Sequence, residues 1–342
     1  MAVYLVTGCA GFIGAKVTEF LLHDDHTVVG IDNLNDAYDV RLKQWRLKQL
    51  SGKSGFEFHR LDICEREELQ RIFSEQSKKN DKSSAEVGNS RSFSGFDAVI
   101  NLAARAGVRQ SVEDPWIYLD TNVTGTLNLL ELCHKYGVSK FVLASSSSLY
   151  GKDNPMPYRE GADTDHPISP YAASKKAAET LCHTYHFLYD LDVTVFRYFT
   201  VYGPAGRPDM MPFRMVQWIS ESRPVTVFGD GQQSRDFTYV DDIARGTIAG
   251  LRPLGYEVIN LGSDMPVVLM DAIRLVEGMI GRQAVLDSQP RHPADVVATW
   301  ADIGRAERLL DWRPVVQMEE GLIRLVNWYQ QNREWAGQVK TV

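Results

Sequence analysis

Short apolar runs recur along the first two hundred residues: Tyr4–Thr7, Val28–Asp32, Phe56–Leu61, Ala98–Ala103, Phe141–Ser145 and Val193–Phe199. Each is nearly continuous rather than alternating, as expected of a strand buried on both faces. Between most of them the apolar positions fall three to four residues apart, the spacing of an amphipathic helix. Strands alternating with helices imply an α/β fold with a doubly wound parallel sheet covered on both sides. One stretch breaks the rhythm. Ser77 to Gly95 is polar and poor in large apolar groups, and is expected to form a mobile surface insertion before the strand beginning at Asp97.

From Thr200 onward Gly, Pro and Arg become more frequent and the alternation less regular. Short strands are predicted at Val225–Phe228 and Val258–Leu261, and helices at Met210–Glu221, Leu269–Ile280 and Gly321–Gln331. The organisation expected is a nucleotide-binding domain over residues 1–196 and a smaller mixed α/β substrate lobe over 197–342, with part of 236–262 returning to the first domain. No internal repeat is present.

Composition narrows the class only slightly. The chain has 342 residues, 44% hydrophobic and 24% charged, ample for a core in about two lobes. A net charge of −7 argues against nucleic acid or an anionic membrane as the main partner. Cys9, Cys64, Cys133 and Cys182 have neither zinc-ligand spacing nor the density of a disulfide scaffold, so no metal is expected and all four read as reduced thiols in a cytoplasmic protein. The sequence begins on a strand without a signal-peptide pattern, and no apolar run is long enough to span a bilayer.

Candidate chemistry clusters at strand ends. The first strand leads into Gly8-Cys9-Ala10-Gly11-Phe12-Ile13-Gly14, and a helical pattern follows. Glycines there permit a tight turn, close approach of a pyrophosphate, and close packing of helix on strand. The spacing departs from the common Gly-x-Gly-x-x-Gly form, but the strand-turn-helix context fits, and a helix N-terminus favours phosphate. The second strand ends in Asp32, which can accept from the adenosine ribose hydroxyls and repels a 2′-phosphate, so NAD is favoured over NADP. Asn101-Leu102-Ala103-Ala104 ends another strand with small residues against which a dinucleotide could lie. Ser145 to Ser148 ends the next, and four hydroxyls there are costly to bury without hydrogen-bond partners. Downstream, Pro170 suits a helix start, and Tyr171 and Lys175 then share one helical face. A nearby cation favours the phenolate, which is how a tyrosine serves as a general base near neutral pH.

Three features together, Thr7–Gly14, the serine run before Leu149-Tyr150-Gly151, and Tyr171-x-x-x-Lys175, resemble the extended short-chain dehydrogenase/reductases, which have a Rossmann fold. Within that superfamily the chain resembles the nucleotide-sugar epimerases, and most of all the UDP-glucuronate 4-epimerases. That closer similarity rests on Asp32–Lys43, Ala106-Gly107-Val108-Arg109, Thr200–Met210 and Ser234–Tyr239, and spans all but the Ser77–Gly95 stretch. The resemblance implies reversible C4 epimerisation of UDP-glucuronate through a transient 4-keto sugar and enzyme-bound NADH, with Tyr171 as base and Ser146 on the 4-hydroxyl. Gly8, Gly11 and Gly14, with Phe12 and Ile13, would cradle the NAD pyrophosphate, and Asp32 with Asn33 would hold the adenosine ribose. Asp62 and Ile63 would frame the adenine, and Leu102, Ala103, Ala104 and Tyr198 would line the path to the nicotinamide. Lys175 would bind the nicotinamide ribose and lower the Tyr171 pKa, and Asn122 also falls in the implied cofactor site.

For the substrate, Arg235 and Arg291 look like diphosphate clamps and Asp295 like a uridine-ribose acceptor. Related decarboxylases and 4,6-dehydratases place an acid just after the catalytic Ser or Thr; here Ser147 and Ser148 are uncharged donors. Ser147, Ser148, Thr200 and Arg207, with Arg109, are candidates for holding a uronate carboxylate. UDP-glucose epimerases commonly carry Asn where Thr200 stands. A 4-epimerase of neutral UDP-hexoses, a UDP-glucuronate decarboxylase, and a non-catalytic NAD-sensing regulator remain as alternatives. The superfamily resemblance also suggests a homodimer formed through helices near Tyr118–Tyr136 and Ala172–Leu188.

Overall fold

The computed structural model describes residues 1–87, 95–290 and 296–341. Its first half alternates strictly: β1 (Val3–Thr7), α1 (Phe12–His23), β2 (Thr27–Ile31), α2 (Val40–Leu50), β3 (Phe56–His59), α3 (Arg66–Val87) and β4 (Ala98–Asn101). There follow α4 (Val108–Glu113), α5 (Trp116–Leu119), α6 (Gly125–Tyr136), β5 (Lys140–Ser146), α7 (Pro170–Tyr189) and β6 (Asp192–Tyr198). These strands and β10 (Tyr256–Leu261) form one seven-stranded sheet in the order β10-β6-β5-β4-β1-β2-β3. Every pairing in it is parallel. The chain winds outward from β1 to β3, then returns to β4 and winds the other way, so β1 and β4 flank the topological switch point where ligands bind such sheets. Leu5, Val99, Ile100, Phe141, Val193 and Val195 are fully buried between the helical layers, which is why these runs read as continuous apolar segments.

The second half builds smaller units. Strands β7 (Thr200–Tyr202), β9 (Ser234–Tyr239) and β11 (Pro266–Val268) form a three-stranded sheet, and β8 (Val225–Phe228) pairs with β12 (Leu286–Gln289). Helices α8 (Met211–Ser220), α9 (Val240–Ala249), α10 (Leu269–Ile280), α11 (Gly304–Leu310) and α12 (Met318–Gln331) complete it. Phe213, Val216, Phe237, Ile273, Leu322 and Trp328 share a hydrophobic cluster distinct from those flanking the large sheet.

Two expectations need correction. The polar stretch from Ser77 is not a loop throughout: α3 continues to Val87, while 88–94 lies outside the described residues. Leu69, Ile72 and Phe73 anchor the first turns of α3 in the core. Extending an anchored helix needs no new nucleus and no further apolar stripe. The helix expected over Tyr118–Tyr136 is interrupted by a π-helical turn at Asp120–Thr124 that joins α5 to α6.

Candidate active site

The glycine turn packs against the end of β4. Thr7 Oγ1 donates to Asn101 Oδ1 at 2.7 Å and accepts from Ala103 N at 3.2 Å. Gly8 has φ +68°, and a Cβ there would lie 2.8 Å from Ala103 N. A Cβ on Gly11 or Gly14 would meet the Gly8 carbonyl at 2.8 or 2.1 Å. No side chain caps the N-terminus of α1, and no acid stands in its first turn. Its unpaired amides therefore face the turn as an anion site. These features fit a dinucleotide pyrophosphate.

Asp32, at the end of β2, accepts from Leu34 N at 2.8 Å and lies 3.5 Å from the buried Lys43 ammonium, which also donates to Asn35 Oδ1 at 3.0 Å. Asn33 donates to Asp62 Oδ2 at 2.6 Å and so joins the ends of β2 and β3.

One cleft runs from this turn to α7. It is lined by Gly8, Gly11, Phe12, Ile13, Gly14, Asp32, Asn33, Asp62, Ile63, Leu102, Ala103, Ala104 and Tyr198, all expected on the cofactor side. Ser146, Ser147, Ser148, Tyr171, Lys175, Thr200 and Arg207 line it as well. Helix α7 starts where the sequence places it: Ser169 Oγ accepts from Ala172 N at 3.2 Å, and Pro170 opens the first turn. That start fixes Tyr171 and Lys175 over the end of β5. Ser145 Oγ donates to Glu179 Oε1 at 2.5 Å, so one of the four hydroxyls is satisfied by protein. Ser146 Oγ accepts from Ser148 N at 3.1 Å.

The expected electrostatics are partly rearranged. Burial raises the Tyr171 pKa, opposed by a hydrogen bond with Ser146 and by the positive charge of Arg207. Lys175 Nζ instead donates to the Ala144 carbonyl at 2.8 Å, and burial brings its pKa down to about 8 against the pull of Glu179. The cation that acts on the phenol here is thus Arg207. Its guanidinium pairs with Asp209, with Nε 3.0 Å from Oδ1, and also reaches Ala106 O at 3.3 Å.

Three expected residues lie off the cleft wall. Asn122, on the π-helical turn, accepts from Arg105 N at 2.9 Å and donates to Ser174 Oγ at 2.8 Å, bracing the loop after β4 against α7. Arg109 lies over the Phe228 ring at 4.0 Å, and Arg235 donates to Ser234 O and Val297 O. Arg291 and Asp295 fall outside the described residues. Conversely, the cleft includes Asn35, Tyr38, Lys43, Gly107 and Met210, for which the sequence suggested no contact. Leu42, Lys43, Arg46 and Leu50 are the buried residues of α2, and their helical spacing marks a packed face without pointing to the cleft.

Fold and cleft together define an extended short-chain dehydrogenase/reductase built around a dinucleotide. Residues 83–262 match the model of the NAD dependent epimerase/dehydratase family, and residues 5–80 that of GDP-mannose 4,6 dehydratase. A UDP-glucuronate 4-epimerase of Thermodesulfobacterium geofontis is 53% identical over 341 residues, 99% of this chain and 100% of that protein. The crystal structure of Bacillus cereus UDP-glucuronic acid 4-epimerase with UDP-glucuronic acid and NAD matches at a TM-score of 0.86 and 35% identity, covering 96% of this chain and 99% of that one. Thermotoga maritima UDP-glucose 4-epimerase with UDP-glucose matches at 0.85 and 30%, covering 97% and 99%. The chain belongs to the NAD dependent epimerase/dehydratase family.

Proposed function

We propose that this protein interconverts UDP-glucuronate and UDP-galacturonate by reversible epimerisation at C4. One observation carries the reading: Ser146, Tyr171 and Lys175 open onto the same cleft as the hydroxyls of Ser147, Ser148 and Thr200 and the guanidinium of Arg207. Bound NAD supplies the reversible removal and return of hydrogen at C4. Tyr171 takes the proton of the 4-hydroxyl and later gives it back, with Ser146 orienting that oxygen. Lys175 suits the cofactor's ribose from its place one helical turn beyond Tyr171. The sugar must turn over between the two half-reactions, so its anchor has to be the nucleotide end. No net oxidation remains after a cycle, and turnover needs no second redox substrate.

A 4-keto uronate is a β-keto acid and loses carbon dioxide readily. The protein therefore has to hold the carboxylate still without an acid beside it. Asp32 and Asp62 are the only carboxylates lining the cleft among the described residues, and both stand at the adenosine end. The serine hydroxyls, Thr200 and Arg207 suit the carboxylate instead.

Incubation with UDP-glucuronate followed by product NMR tests the proposal: UDP-galacturonate is expected, whereas UDP-pentose or no turnover defeats it. Tyr171→Phe should lower kcat by about 10²–10⁴-fold while NAD binding persists, which separates an enzyme from a non-catalytic NAD-sensing regulator. The similarity to UDP-glucose 4-epimerase favours a second reading, epimerisation of neutral UDP-hexoses. A kcat/KM for UDP-glucose above that for UDP-glucuronate would favour it.

We read residues 1–196 as the NAD-binding unit and 197–342 as the UDP-sugar lobe, with the segment of 236–262 that carries β10 returning to the sheet. A homodimer is proposed through α7 and the α5–α6 segment, supported by Phe187, Leu188 and Tyr189 being 78%, 57% and 43% exposed at the end of α7. Light scattering decides it. A cytoplasmic location fits the four free thiols.

A further inference from the structure

Arg46 lies on α2 at 4% exposure, and its N–H contacts all end on neutral oxygens. Nε and Nη2 donate to the Ala205 carbonyl at 3.0 and 2.6 Å, and Nη2 also reaches Gly206 O at 3.4 Å. Nη1 donates to Ala10 O at 3.1 Å and to Tyr38 Oη at 2.7 Å. The rings of Phe12 and Tyr38 flank the guanidinium at 5.7 and 5.5 Å. A buried cation persists only when its donors are satisfied, and here the acceptors lie on three separate pieces of chain, at Ala10, Tyr38 and Ala205-Gly206.

Ala10 belongs to the glycine turn at the dinucleotide end. Ala205 and Gly206 immediately precede Arg207, on the loop after β7. Ala205 has φ +52°, a left-handed conformation that a residue with a Cβ keeps only when its surroundings impose it. The surroundings here are the guanidinium on its carbonyl and the Phe12 ring, which a Cβ on Gly206 would approach to 3.7 Å. The loop carrying Arg207 therefore rests on the turn that receives the cofactor, with one fork of hydrogen bonds between them.

We propose that Arg46 is a positioning residue for the sugar end of the cleft: by joining Ala10 to Ala205 and Gly206 it sets where the Arg207 guanidinium enters. The proposal rests on the uronate reading of Arg207 above. A lysine cannot replace it, because one ammonium cannot meet the Ala10 and Ala205 carbonyls with the geometry of a fork.

The test measures Kd values for UDP-glucuronate and UDP-glucose by displacement titration on NAD-loaded Tyr171→Phe protein, so that turnover is not needed. Arg46→Lys should raise the Kd of UDP-glucuronate about tenfold and that of UDP-glucose by less than about twofold. In an Arg207→Met background, Arg46→Lys should leave the ratio of the two unchanged. Arg46→Gln, which also cannot span both carbonyls, takes its place if the lysine variant does not fold. With Arg207 in place, equal weakening of both ligands overturns the inference, as does a change in the ratio when Arg46→Lys is added to Arg207→Met. If the parent protein binds neither sugar nucleotide, the functional reading falls and takes the inference with it. If it binds both, a failed selectivity test removes Arg46 alone.

Discussion

Arg197→Met isolates the buried ion pair behind the serine run. The Arg197 and Glu179 side chains are each 5% exposed. Nε and Nη2 of Arg197 donate to the two Glu179 oxygens at 3.0 and 2.8 Å, and Nη1 donates to Tyr150 Oη at 3.2 Å and Glu160 O at 3.1 Å. Methionine fills similar volume but leaves the carboxylate with Ser145 as its remaining side-chain partner. Breaking a buried pair from one side costs about 3–5 kcal/mol, because an uncompensated charge stays behind. At roughly 2.1 cal/mol/K per residue, the 342 residues unfold with an entropy of about 0.7 kcal/mol/K, so Tm should fall by about 4–7 °C if melting is cooperative. Glu179→Leu combined with Arg197→Met should recover most of that loss, since both charges are then gone. Activity should drop further than stability alone explains, because Glu179 also holds Ser145, the neighbour of Ser146. Differential scanning calorimetry with saturating NAD reads the first effect. A Tm within about 1 °C of the parent, or a double variant less stable than the single one, would refute the reasoning.

Gly14→Ala would put a Cβ 2.1 Å from the Gly8 carbonyl; the turn must open, at about 1–3 kcal/mol, and NAD released by heating the purified protein should fall well below one per chain. Unchanged NAD content would remove the turn from the cofactor site. Lys175 is held at about 8 by burial, below its unfolded value near 10.4. The unfolded chain then binds the extra proton between those values, so the cofactor-free protein should gain stability as pH rises from 8 to 10, by up to about 3 kcal/mol. Lys175→Met should flatten that gain in urea midpoints, and an identical slope in the variant would count against it. Asp32→Ser leaves Lys43, 3.5 Å from the lost carboxylate oxygen, able to meet a 2′-phosphate. NADP binding by calorimetry should tighten about tenfold or more, and should not do so in Asp32→Ser with Lys43→Met.

The large sheet was legible because its strands are apolar on both faces, and the cleft because glycines, an acid and a Tyr-x-x-x-Lys pair stand at strand and helix ends. Small strands β7, β9 and β11 were less so. Three to six residues at a lobe's edge, such as Ser234–Tyr239 with Arg and Asp among them, carry too short a pattern to separate strand from loop. Tyr38 and Lys43 were visible as part of a motif, but nothing in their spacing says that the segment before α2 and its first turn fold back onto the cleft.

The local chemistry of this protein was set by the chain itself: where backbone needs glycine, where a helix starts, which hydroxyls and cations are available. Pairings across long sequence separations were not. That Lys175 spends its proton on Ala144 O, that Arg207 is the charge felt by Tyr171, and that Arg46 bridges residues 36 and 159 positions away all depend on tertiary packing. Spacing along a chain fixes which side chains share a face. Only the packed fold decides which of several equally suitable partners comes within hydrogen-bond reach.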